Sequence, residues 1–132
     1  MSKLFPRTAV VGIMSALALG TIVSLPAYAH DGARVTRSGV CSGSSTSKVT
    51  LKHEDGRIEA EFEVDSNRVG QRWNVVIKDN GVIVFSGSRT TQAPSGSFEV
   101  RRLIANRAGT DAIVASAKNP TSGESCVARA SI

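Results

Sequence analysis

Apolar and polar residues alternate along most of the chain with a period of two. The segment 58–65 is the most regular, because four apolar side chains take one face and four acidic side chains take the other. One apolar and one charged face are typical of a strand in a sheet that is solvated on one side. The segments that we predict as strands are 34–41, 48–53, 58–65, 72–78, 82–85, 98–104, 112–118 and 126–132.

A β-hairpin is predicted over residues 71–89. An alternating strand begins at Trp73, the pair Asn80-Gly81 ends it, and an apolar run follows from Val82. Asn-Gly between two strands favours a type I′ turn, because that turn needs positive φ at both central residues. No segment shows a convincing pattern of an amphipathic helix. The hairpin, with the only tryptophan of the chain, therefore lies in the middle of a small all-β domain.

Residues 1–29 have the composition of a secretory signal peptide. Two basic residues precede an almost uncharged apolar run over 8–25, and the small-x-small pattern of a cleavage site ends at Ala29. A retained membrane anchor is the alternative, because the apolar run is near the length that spans a bilayer. Cleavage after Ala29 predicts a mature chain that starts at His30, forms one domain over 30–132 and is secreted.

The chain has two cysteines, Cys41 and Cys126, and both lie in the part predicted to be exported. In an oxidising compartment an even number of cysteines predicts disulfides, and only one pairing is possible here. Two buried free thiols are the alternative. We predict a single bridge that ties the two ends of the domain together.

The composition of the predicted domain argues against two classes of partner. Removal of Lys3 and Arg7 from the 16 basic residues leaves 14, against 11 acidic residues, so the net charge is +3. This small excess, spread along the chain, does not favour nucleic acid or a membrane surface. All remaining aromatic residues lie in alternating segments, so few rings are left to stack on a sugar or a base. They are Phe62, Trp73, Phe85 and Phe98.

The order of the predicted strands resembles an immunoglobulin-like or fibronectin type III-like sandwich. From Lys48 onward, a first strand is followed by Asp55-Gly56, the strand 58–65, a strand that begins at Trp73, the Asn-Gly hairpin and three more strands. The chain is also similar to small secreted β-sandwich proteins of bacteria. It differs from true immunoglobulin domains in having no cysteine in the second strand and no tyrosine after cleavage. The resemblance implies an antiparallel sandwich of seven to eight strands, and it implies no particular function.

Candidate catalytic residues are few. Neighbouring carboxylates on the acidic face of 58–65 are spaced by about 7 Å, which suits an inverting glycosidase, but a flat solvated face lacks the cleft that raises a carboxyl pKa. No Gly-x-Ser-x-Gly elbow occurs, and a bridged cysteine is not a nucleophile. We predict no catalytic residues, no cofactor and no enzyme activity. The acidic residues are Glu59, Glu61, Glu63 and Asp65.

We therefore expect a secreted binding module whose loops meet an extracellular protein or a surface ligand. One alternative is Cu(II) binding through the α-amine and imidazole of His30, completed by His53, because these nitrogens suit copper. Secreted copper carriers and copper-dependent polysaccharide monooxygenases are similar in using an N-terminal histidine on such a sandwich. A second alternative is a protease inhibitor that presents the loop 90–97.

Overall fold

The computed structural model describes residues 32–132, which form nine β-strands in two antiparallel sheets. The predicted signal peptide and His30 lie outside these residues. Within the described part, no helix is long and apolar enough to cross a membrane. The strands are β1 (Arg34–Ser38), β2 (Val40–Cys41), β3 (Thr46–Glu54), β4 (Arg57–Asp65), β5 (Arg72–Asp79), β6 (Val82–Thr90), β7 (Ser97–Ala105), β8 (Ala112–Lys118) and β9 (Ser125–Ser131).

The strand order confirms the predicted fold class. The first sheet has the order β1-β3-β4-β7, and the second has the order β2-β9-β8-β5-β6. Two antiparallel sheets that face each other across one core form a β-sandwich, as predicted.

The N-terminal segment adds two strands where the sequence predicted one. The chain changes sheets at Gly39, so that β1 pairs with β3 of the first sheet and β2 pairs with β9 of the second. A Cβ atom at position 39 would lie 2.3 Å from Ser47 Oγ and 2.6 Å from the carbonyl oxygen of Val127. Glycine therefore permits the crossing between the sheets, because no side chain fits there.

The central hairpin forms as predicted, with one irregularity. The turn residues Asn80 and Gly81 have φ angles of 47° and 83°. The register shifts after the pair of Ile77 and Phe85, which leaves one extra residue in β6 as a β-bulge. Phe85 is consequently buried, whereas Ile83 is 59% exposed. The apolar run of β6 is therefore divided between the core and the surface.

The core lies between the two sheets and consists of their inward side chains. Trp73 is fully buried, and its ring centroid lies 6.3 Å from that of Phe98. All four aromatic residues predicted in the core are buried. Burial of each large apolar side chain stabilises the fold by roughly 1.5–3 kcal/mol. The largest fully buried apolar side chains are Trp73, Phe62, Leu51, Ile58, Ile77, Ile113, Val49, Val64, Val75 and Val100.

The predicted disulfide is present. Cys41 and Cys126 are direct partners in the pairing of β2 with β9, and their Cα atoms are 4.0 Å apart. The bridge therefore joins two neighbouring strands of one sheet rather than the two sheets across the core. It ties the short strand β2 to the C-terminal strand.

Candidate functional site

The connections of the sandwich gather at its two ends. One end, which we call the pocket end, carries the loops 66–71, 91–96 and 119–124. The opposite end carries the two hairpin turns that precede β4 and β6, and the loop 106–111. Because sheet strands are committed to the core, loops at such ends are the usual place for ligands.

The pocket end contains a depression of about 380 Å³ between two of its loops. One wall comes from the loop between β4 and β5 and from the start of β5. The other wall comes from the loop between β8 and β9. Its lining is polar and basic, and no aromatic ring takes part. The lining residues are Arg68, Gly70, Gln71, Arg72, Asn119, Thr121 and Ser122.

The first wall is held in place by the loop 91–96. Thr91 is buried, and its Oγ1 donates to the carbonyl oxygen of Arg68 while accepting from the backbone N–H of Gln71. The backbone N–H of Ser66 donates to the carbonyl oxygen of Gly96 at 3.0 Å. These hydrogen bonds fix the backbone from which Arg68 and Gln71 project.

The loop 90–97, predicted as an inhibitory loop, is a short segment that packs against the loop 66–71 and hydrogen-bonds to it. Two hydrogen bonds close the loop on itself. The Gly96 N–H donates to the Gln92 carbonyl at 2.8 Å, and the Gln92 N–H donates to the Ser97 carbonyl at 2.8 Å. Its exposed residues are Thr90 and the four residues 92–95 at its tip. The inhibitor hypothesis stays a prediction that this geometry does not favour.

The second wall is ordered by Asn119. Its side-chain Oδ1 accepts from the backbone N–H groups of Thr121 at 2.9 Å and of Ser122 at 3.1 Å. A carboxylate oxygen of Glu124 accepts from the backbone N–H of Ser45 at 2.8 Å, which joins this loop to the segment after β2. The wall is thus built from backbone turns locked by buried or half-buried side chains.

The charge at the pocket is positive and unneutralised. Among the described residues, neither Arg68 nor Arg72 lies within ion-pair distance of a carboxylate. The guanidinium of Arg72 donates to Ser88 Oγ at 3.2 Å. Between the two arginines, Gln71 has a buried Oε1 atom that accepts no hydrogen bond. The wall therefore offers charged donors at its surface, while the Gln71 Oε1 atom is shielded inside it.

The acidic face of β4 forms a network of ion pairs with its neighbouring strands. Arg101 of β7 lies 3.0 Å from Glu61, 3.1 Å from Glu99 and 3.9 Å from Glu59, and Lys48 of β3 lies 3.7 Å from Glu63. Burial and the charge of Glu61 raise the pKa of Glu99, and Arg101 opposes this shift.

The carboxylates of Glu61, Glu63 and Glu99 are close enough to hold a cation, since their oxygens lie within 4.8 Å of one another. Arg101 already pairs with two of them. Because the guanidinium supplies the positive charge that a cation would bring, the group has the character of a surface ion-pair network. The sequence prediction of a solvated face without a catalytic cleft agrees with this geometry.

A buried carboxyl pair at the opposite end was not predicted. Asp79 and Asp111 are both fully buried, and neither oxygen of Asp79 accepts a hydrogen bond. Burial, followed by the nearby carboxyl of Asp111, raises the pKa of Asp79, while Arg107 Nε at 3.6 Å opposes the shift. The side chains of residues 73, 75 and 77 point into the core, and Asp79 is the next residue in this alternation. The alternation could therefore have predicted that Asp79 is buried.

His53 lies at the opposite end, on β3, where the N-terminal segment passes over it. A Cβ atom at Gly32 would lie 2.4 Å from His53 Cβ, and the His53 N–H donates to the Ala33 carbonyl at 3.3 Å. His30, the other residue predicted for copper, lies outside the described residues.

A second depression, of about 530 Å³, is more open and lies along β8 and β9. Its polar side chains are Arg37, Arg129 and Ser131, and all three are exposed. The remaining lining is apolar. It lacks a polar side chain held within its wall, which distinguishes it from the depression at the pocket end.

No protein-family model, curated protein or solved structure matches this chain.

Proposed function

We propose that the chain is a secreted, non-catalytic binding module of the immunoglobulin-like or fibronectin type III-like class, whose ligand binds at the pocket end. The observation that carries the proposal is the depression between the loops 66–71 and 119–124, where two arginines lack carboxylate partners. A depression with a few convergent polar groups on a rigid sandwich is the usual form of a ligand site.

The arrangement of reactive groups supports binding without catalysis. In the part of the chain that the structure describes, both cysteines are bridged and His53 is the one histidine. His53 lies at the end of the sandwich opposite the pocket, so it does not face the hydroxyl groups of Thr121 and Ser122 there. A hydroxyl nucleophile needs a base within hydrogen-bond reach.

Export is supported by the disulfide, because such bridges form and persist in oxidising compartments. The signal-like composition of residues 1–29 points in the same direction. A partner outside the cell, either a protein or a surface ligand, follows from this location.

Closing the pocket without changing its charge tests the proposal. We expect Thr121→Trp to reduce binding to the extracellular or surface material of the source organism by about tenfold or more, because the indole fills the depression. Thr121 is exposed and its side chain makes no hydrogen bond in the described part. The measurement is a binding isotherm of purified protein on washed cells and on material shed from them.

Thr110→Trp is the matched control for this experiment. Thr110 is exposed and belongs to the loop at the opposite end, so the same substitution adds the same ring away from the pocket. Equal binding by the Thr121→Trp and Thr110→Trp variants would contradict a ligand site at the pocket end.

Cu(II) binding through His30 and His53 is the second candidate, and the position of Gly32 favours it. Gly32 packs directly against His53, and two residues reach at most about 7 Å. A mature chain that begins at His30 would have only two residues before Gly32, a separation short enough for a site shared with His53. An α-amine and two imidazoles would supply three nitrogen ligands.

The copper hypothesis predicts that His53→Ala weakens Cu(II) binding by about tenfold or more in a chain that starts at His30. Titration calorimetry with a competing chelator measures the affinity. Lys52→Ala, on the opposite face of the same strand, is the control. One alanine added before His30 should weaken binding as well, because it displaces the amine. Unchanged affinity after His53→Ala would remove His53 from the site.

A further inference from the structure

We infer that the pocket between Arg68 and Arg72 binds the carboxylate of an acidic sugar, such as a uronic acid unit of an extracellular polysaccharide. This inference rests on the proposed function, because it identifies the ligand of the same site.

The charge of the pocket selects an oxyanion. Guanidinium groups match the planar geometry of carboxylates and form paired hydrogen bonds with them. The arginines of the acidic face and of the buried carboxyl pair already have such partners, namely Arg101 with Glu61 and Arg107 with Asp79. Within residues 32–132, Arg68 and Arg72 have none. Other described arginines also lack a carboxylate partner, and what distinguishes Arg68 and Arg72 is that they line a depression whose facing wall is ordered by the buried Asn119.

The walls of the pocket select hydroxyl groups beside the acid. Gln71 Oε1 is shielded from solvent inside the first wall, so the groups that meet ligand hydroxyls come from the other wall. The facing wall offers the hydroxyl groups of Thr121 and Ser122. A sugar acid carries one carboxylate and several hydroxyl groups on one ring, and this is the combination that the lining can satisfy.

The lining also separates an acidic sugar from other anions. Single-stranded nucleic acid needs aromatic rings on which bases stack, and peptide anchors need apolar or aromatic walls. The seven lining residues include no aromatic ring and no large apolar side chain. A neutral sugar would also find no aromatic ring on which to stack. An acidic sugar would instead form contacts between its carboxylate and the guanidinium groups of Arg68 and Arg72. The volume of about 380 Å³ lies at the small end of ligand pockets and suits one sugar unit.

Titration calorimetry of the disulfide-bonded chain with three oligomers tests the inference. The probes are a galacturonic acid trisaccharide, the neutral galactose trisaccharide and a glutamate tripeptide with blocked ends. We expect the acidic trisaccharide to bind about tenfold or more tightly than the neutral one, and to weaken as salt rises, because the contact is charged. We expect the peptide to bind more weakly than the acidic trisaccharide.

A matched pair of double variants locates the site. Arg68→Gln with Arg72→Gln should weaken binding of the acidic trisaccharide by about tenfold or more. Arg37→Gln with Arg129→Gln removes the same charge from the second depression and should leave the affinity unchanged. Equal losses in both double variants would show an effect of net charge alone and would overturn the inference. Circular dichroism melts establish that each variant is folded.

The remaining outcomes separate this inference from the proposed function. If the peptide binds more tightly than the acidic trisaccharide, the acidic-sugar inference is overturned. If neither acidic probe binds but Thr121→Trp still abolishes binding to cell-surface material, the inference is overturned and the proposed function stands. If the Thr121→Trp chain binds cell-surface material as the wild type does, the proposed function fails with it.

Discussion

Replacing both cysteines, Cys41→Ala with Cys126→Ala, is expected to lower the free energy of unfolding by about 2–5 kcal/mol. The bridge closes a loop with a sequence separation of 85 residues, so its loss frees a large part of the unfolded chain. In the folded chain, β2 contains two residues and pairs only with β9. Without the bridge, little holds this strand against the second sheet. Chemical denaturation at neutral pH measures the difference.

The control for the disulfide is the effect of a reductant. Reduction of the wild-type chain should lower its stability to that of the double variant, and the variant itself should not respond. Val40→Ala, a change of an exposed residue in the same strand, should alter the free energy of unfolding by less than about 0.5 kcal/mol. A double variant as stable as the wild type would mean that β2 and the neighbouring loop hold without the bridge.

Gly96→Ala is expected to lower the free energy of unfolding by about 2–5 kcal/mol, since it combines a strained backbone with a steric clash. Gly96 has a φ angle of 78°, which L-residues rarely adopt. A Cβ atom there would lie 2.2 Å from the backbone nitrogen of Arg68 and 2.7 Å from its carbonyl carbon. The atoms in the way belong to the backbone, so rotation of a side chain cannot relieve the contact. Thermal and denaturant unfolding measure the loss.

Gly109→Ala isolates the steric part of this effect. Gly109 has a φ angle of 84°, but a Cβ atom there would meet nothing within 4 Å. Its substitution should therefore lower the free energy of unfolding by only about 1–2 kcal/mol, because only the backbone conformation is unfavourable for alanine. Because Gly96 presses on the backbone of Arg68, Gly96→Ala should also weaken ligand binding, whereas Gly109→Ala should not. Equal destabilisation by the two substitutions would show that the loops 66–71 and 91–96 yield to the added methyl group.

The parts of the fold that depend on neighbours in sequence were predictable. The alternation over 58–65 gave β4 within one residue of its observed bounds, and Asn80-Gly81 gave the hairpin with its positive φ angles. Both signals are local, because side-chain period and turn conformation are set by a few adjacent residues. The single possible pairing of Cys41 with Cys126 likewise needed no knowledge of the fold.

Features that depend on two distant segments were not predictable. The sheet change at Gly39 is set by contacts with Ser47 and Val127, which come from different sheets. The bulge in β6 depends on the register with β5, and a run of four apolar residues does not state which of them faces the core.

The pocket was missed for a similar reason. Its two walls are separated by about fifty residues in the sequence. Whether Arg68 and Arg72 have an ion-pair partner depends on where every carboxylate lies in the folded chain. The sequence predicted that loops would carry the partner site, but it did not indicate which loops come together. Asp79 was missed although it continues the inward alternation, because the predicted strand ends at residue 78.

The chain enters the sandwich at one end and presents the pocket at the other. Gly32 and Ala33 lie beside His53, close to the turn between β3 and β4, whereas Arg68 and Thr121 line the far end. The described chain thus starts at the end of the sandwich opposite the depression, and a support coupled at Gly32 would leave the basic pocket free.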